Sequence, residues 1–235
     1  MLGAFKMYYQ FCATNALTNW LNTDLPRLPA APDKQVGINT IVSTCEQMRW
    51  QLHIIDNSYG SWHKTIIATE ANSRFTVFIP VDLLMSVEEL TQRLQMEWQW
   101  VLAESLRLSN VMLRSDIALL LSKLGDMTVE PQWVKNTDLR VNDHVSDAGL
   151  WVTQTLADRR QAELTPELAL ELAVYLNTQP KRVNKGKSKV VPVLVLLDYC
   201  KSLLGAGPLA AEPDSKAPNA GNLSNVLYLK TCQRR

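Results

Sequence analysis

The sequence predicts an α+β fold: a small, mostly antiparallel sheet packed by helices, followed by a helical C-terminal extension. Three observations predict it. Two apolar runs, 62–69 and 74–81, flank the polar connection Glu70-Ala71-Asn72-Ser73, the pattern of a hairpin. Ser86-Val87-Glu88-Glu89 is a capping box in front of a long amphipathic stretch. Thr165-Pro166-Glu167 starts a further helix near the C-terminus, with proline at the first helical position, where its missing N–H costs nothing.

Taken in order, Tyr8 to Cys12 reads as a strand, its aromatic residues suited to a pleated surface. Thr14 caps a short helix through Trp20 and Leu21, and Pro26, Pro29 and Pro32 forbid its continuation. Residues 38–48 read as a helix weakened by β-branched Ile41, Val42 and Thr44. From Arg49 to Ile55 the chain alternates, Trp50, Leu52 and Ile54 on one face and Arg49, Gln51 and His53 on the other. The turn formers Asp56-Asn57-Ser58-Tyr59-Gly60 lead into the hairpin.

Behind the capping box, Val87, Leu90, Leu94, Trp98 and Val101 form a core-facing stripe in a helix to about Leu108. Trp100 lies off that stripe. Ser115 reads as the cap of a shorter helix ended by Gly125. Met127 to Val134 is an edge strand, since Pro131 has no N–H for a central ladder. Asn142 or Asp143 opens a helix through Val152 and Leu156, and Leu168, Leu172 and Leu176 share a face of the next. A basic loop then precedes a last helix bracketed by Pro192 and Gly205. The expected organisation is an α+β domain over 1–160, a helical extension over 161–205 and a flexible tail over 206–235, with a weak strand signal at 226–229.

Composition narrows the function classes. The formal net charge of +1 gives no global pull towards nucleic acid or an anionic membrane, so any such preference is local. Cys12, Cys45, Cys200 and Cys232 are scattered, without the close pairs of a zinc site; they read as free thiols, and neither a metal nor a cofactor is expected. No apolar stretch approaches membrane-spanning length and no leader segment is visible, so the sequence points to a cytoplasmic protein.

Three constellations carry possible chemistry. His63 follows Trp62 at the start of the hairpin; with Trp62 anchored in the core, alternation turns His63 to the opposite face, as a general base or as a ring that satisfies a nearby carbonyl. Lys135-Asn136-Thr137-Asp138-Leu139-Arg140 joins a strand to a helix. There Asp138 could orient His63 while Lys135 and Arg140 hold an anion; the alternative is helix-start chemistry with a solvated charge cluster. Lys181, Arg182, Lys185, Lys187 and Lys189 place five positive charges in nine residues without an acid. That segment suits phosphate contacts, or is a solvated loop; its lack of aromatic residues favours backbone over base recognition.

Three segments, Gln10-Phe11-Cys12-Ala13-Thr14-Asn15-Ala16-Leu17, Ser61-Trp62-His63-Lys64-Thr65 and the Lys135–Arg140 segment, together resemble a bacterial domain family of unknown function. Its members show an R-C-T-x-K-L-L start, a W-H-x-N strand and a K-T-x-D-R-S segment in that order. The resemblance covers residues 7 to 152; Thr65 stands where the family has asparagine, and Leu139-Arg140 where it has Arg-Ser. With the basic segment, it implies a non-enzymatic binding or regulatory protein of bacterial type, a nucleic-acid-associated accessory of a mobile element or defence locus. The competing expectations are a hydrolase using His63 and Asp138 on an anionic substrate, and a structural subunit with a protein partner, marked by an apolar patch around Trp98 and Trp100.

Overall fold

The structure, a computed structural model, describes residues 6–29, 37–183 and 188–204. Its centre is a five-stranded mixed sheet built from β1 (Lys6–Ala13), β2 (Gln47–Asp56), β3 (Lys64–Glu70), β4 (Thr76–Val81) and β5 (Thr128–Lys135), in the order β4-β3-β2-β1-β5. The α+β class holds. The sheet divides evenly, with β1 parallel to both β2 and β5, while β2–β3 and β3–β4 are antiparallel. The parallel β1–β2 pair requires a crossover, and α1 (Asn15–Leu21) forms its first part after the end of β1.

Helix α2 (Val87–Leu108) begins at the expected capping box: Glu89 N–H donates to Ser86 Oγ at 3.1 Å and Ser86 N–H to Glu89 Oε2 at 2.7 Å. Leu90, Leu94, Trp98 and Val101 are buried on its inner face. The ring of Trp98 meets Trp50 and Tyr9 with centroids 6.3 Å and 6.4 Å apart, so it belongs to the core, whereas Trp100 is exposed on the same helix. Helix α3 (Arg114–Gly125) is capped at Leu113 without a side-chain hydrogen bond, which places Ser115 inside the helix instead of at its start. Helix α4 (Leu139–Arg159) starts earlier than expected, with Asp138 as its cap, because this carboxylate accepts from Arg140 N–H at 2.9 Å. It lies across β2 and β3, where Gly149 leaves room: a Cβ there would sit 3.2 Å from Ile67.

Helices α5 (Pro166–Thr178) and α6 (Pro192–Leu203) share the main hydrophobic core with the sheet, α5 resting on β4 and α2. Between them runs a two-stranded ribbon, β6 (Lys181–Val183) with β7 (Ser188–Val190), where the sequence suggests a loop. Both edges of the large sheet are guarded. On β4, the Asn177 amide accepts from Thr76 N–H at 2.8 Å and donates to Thr76 C=O at 2.7 Å, taking the place of a neighbouring strand. On β5, Lys135 exchanges main-chain hydrogen bonds with Pro26 and Leu28, and Pro131 sits opposite Tyr9 in an unbroken register, a proline on an edge strand where its missing N–H is tolerated.

Two further sequence expectations fail. Residues 38–46 form no helix; they run as an irregular segment up to β2. Trp62 is no core anchor: the strand begins at Lys64, two residues later than alternation assumed, and the indole stands 88% exposed in the turn. Residues 206–235, including the strand signal at 226–229, lie outside the described residues.

Candidate functional site

The residues singled out in the sequence fall into three separate places. Asp138 is buried at the end of β5, and both its oxygens are engaged: Oδ1 accepts from Arg140 N–H, Oδ2 from Ile41 N–H at 2.8 Å. Its own N–H donates to Gln51 Oε1 at 2.9 Å, and Gln51 Nε2 in turn donates to the carbonyls of Cys12 and Asn136. Asn136 holds Asn39 by an N–H and a C=O contact, each 2.8 Å. This network clamps the irregular 39–41 segment against the sheet. The Arg140 guanidinium, 3.6 Å from Asp138, is exposed, and Lys135 is half-buried and forms no ion pair among the described residues.

His63 is not brought to Asp138. Its Nδ1 lies 3.6 Å from Glu163, and its main chain closes the β2–β3 turn through Asn57 N–H to His63 C=O at 3.1 Å. Asp138 instead neighbours Gln51, five residues before the end of β2, where the chain turns towards His63. At about 3.3 Å rise per strand residue, that is on the order of 16 Å along the strand. The acid–histidine pair needed for base catalysis is therefore absent between these two residues.

The third place is a basic corner that sequence reading only half found. Lys181, at the start of β6, turns inward: its ammonium donates to Arg74 C=O at 3.2 Å and lies 3.5 Å from Thr76 Oγ1. Arg74 ends the β3–β4 turn with φ of +63°, a left-handed backbone rarely taken by residues other than glycine. From α4, His144 faces the same two cations. Burial, then the nearby Arg74 charge, holds the Lys181 ammonium down at about 8, with Asp147 pulling the other way. Burial and the charges of Arg74 and Lys181 hold His144 at about 4, opposed by Asp147 and Asp143. Arg140 precedes His144 by one helical turn and shares its face.

The ribbon continues this corner outward. In its register Arg182 lies directly opposite Lys189, both exposed, while Lys185 and Lys187 lie outside the described residues. Arg74 and His144 were missed because neither carries a sequence signal. A lone arginine after a turn and a lone histidine on a helix become a cluster only once β4, α4 and β6 meet. Elsewhere, Glu70 is a structural carboxylate: buried, it accepts from Ser43 Oγ, Ser73 Oγ and the N–H groups of Asn72 and Ser73.

Among the described residues no group of three or more His, Cys, Asp or Glu side chains is placed to hold a metal ion. No helix among them is long and apolar enough to cross a membrane. The fold thus defines an α+β protein in which Arg74, Lys181 and His144 meet behind a ribbon that exposes Arg182 and Lys189. No family model, curated protein or solved structure matches the chain.

Proposed function

We propose that this chain is a non-enzymatic nucleic-acid-binding protein that holds the phosphate backbone with the ribbon β6–β7 and the corner behind it. The observation that carries this reading is the ribbon's register, which sets Arg182 opposite Lys189. Like charges directly across an antiparallel pair are destabilising, and here they stand beside Lys181, itself pressed against Arg74. A phosphate backbone offsets that repulsion and releases its own counterions on binding. A two-stranded ribbon also has the width to enter a duplex groove, and the absence of aromatic residues from 181–189 favours contact with backbone over bases.

The test is fluorescence anisotropy of the full chain on a labelled DNA duplex as salt is raised. If Lys181, Arg182, Lys185, Lys187 and Lys189 all meet phosphates, log K falls against log salt with a slope of about −4.5. Arg182→Ala with Lys189→Ala lowers the slope by about 2 without changing the melting temperature by more than a few degrees. Unchanged affinity when all five are alanine overturns the reading.

A further inference from the structure

At the far end of β3 from the basic corner lies a pocket of opposite character. It has a volume of about 480 Å³, with Trp20 and Trp62 on its walls and Asp56, Asp82 and Lys64 around them. Lys64 is paired with Asp56, whereas Asp82 forms no ion pair among the described residues. Glu163, beside His63, adds a further carboxylate to this end of the sheet. The balance of charge is negative.

The exposure of Trp62 is built. Asn57 N–H donates to His63 C=O, Ser61 N–H to Ser58 C=O at 3.0 Å, and His63 N–H to Ser61 Oγ at 3.1 Å. The buried Asn57 side chain accepts from Thr65 Oγ1 at 2.7 Å, and Gly60 supplies the φ of +72° that the turn needs. These contacts hold the indole out in a fixed turn. Tyr59, next to the lining residue Gly60, and Leu83, next to the lining residue Asp82, are also exposed, so large apolar side chains flank the charged pocket in the chain.

We infer that this pocket takes the guanidinium group of an arginine presented by a partner protein. Indole faces attract cations, and a guanidinium adds planarity, weak hydration and a paired N–H edge suited to a carboxylate. Asp82 is the carboxylate left for that edge, and Trp20 and Trp62 are the faces. The apolar rim favours a side chain carried on a polypeptide over a free small cation.

The test follows the indole N–H resonances of the full ¹⁵N-labelled chain, assigned with Trp20→Phe and Trp62→Phe. The titrants are a capped Gly-Arg-Gly peptide, its citrulline and lysine counterparts, and guanidinium chloride. The expected result is a shift of the Trp20 and Trp62 signals with the arginine peptide, weakened about fivefold or more by lysine, by Asp82→Asn or by use of the bare ion, and abolished by citrulline. Absence of any shift overturns the proposal, as does equal binding of citrulline, of lysine or of guanidinium alone, or an unchanged titration in Asp82→Asn. The ribbon variant Arg182→Ala, Lys189→Ala leaves this titration unaltered, which separates it from nucleic-acid binding.

Discussion

The Lys181 ammonium donates to the main-chain carbonyl of Arg74 at 3.2 Å, joining the first residue of the ribbon to a turn 107 positions earlier. The contact sets one cation against the backbone of another. Its partial burial costs stability that the carbonyl only partly returns, so Lys181 is held in a place where the isolated chain would do better with an apolar residue.

Lys181→Met keeps the stem and removes the charge. A lysine depressed to about 8 is less protonated when folded than when unfolded, so it contributes instability at neutral pH that fades as pH rises through 8 towards 10.5. The variant is expected to gain about 1 kcal/mol at pH 7 in urea unfolding, with the gain shrinking by pH 10. It should lose nucleic-acid affinity at the same time. A variant that is destabilised at pH 7 would contradict this account of the corner.

His144 gives the acid side of the same cluster. Held at about 4, it stays neutral in the folded chain while the unfolded chain takes up a proton near 6.5. Stability therefore falls as pH drops from about 7.5 to 4, and His53, lowered by burial beside Thr14, acts in the same direction. The urea midpoint should be lower at pH 5.5 than at 7.5, and His144→Gln should narrow that gap. An equal gap in the variant would remove His144 from the explanation.

Phosphate near Lys181 stabilises its charged form, so binding takes up protons above pH 8. Nucleic-acid affinity should decline as pH rises from 8 to 9.5, and Lys181→Arg, which stays charged, should flatten that decline. Anisotropy titrations at constant ionic strength measure both.

Asp138→Ala removes a helix cap and strands the buried Ile41 N–H. The expected loss is about 2–4 kcal/mol in chemical denaturation, with Asp138→Asn recovering part of it through the remaining carbonyl oxygen. If His63→Ala proves nearly neutral for stability while Asp138→Ala does not, the two residues act separately, as their separate contacts imply.

Much of the framework was legible because it rests on local chemistry. The capping box of α2, the β3–β4 hairpin, the edge position of Pro131 and the Thr165-Pro166 helix start are each announced by a signal of one to four adjacent residues. The 38–46 segment was misread for the opposite reason. Its conformation is dictated by Asn136 and Asp138, 97 positions away, and by Glu70 and Asn72, so its own propensities were overruled. Trp62 was misplaced by a two-residue error in where the strand begins, enough to move a side chain from core to solvent. Of the candidate site, the ribbon's charges could be read from their density, whereas Arg74, His144, Trp20 and Asp82 gain meaning only from topology.

The Asn177 amide on Thr76 reaches beyond the seating of α5. An open strand edge is a template on which a second molecule can be copied into a growing fibril, and here one side chain occupies that template. Asn177→Leu keeps the branched shape but leaves the Thr76 N–H and C=O bare, so its sharpest consequence would appear at high concentration and over time, as self-templated assembly starting from β4.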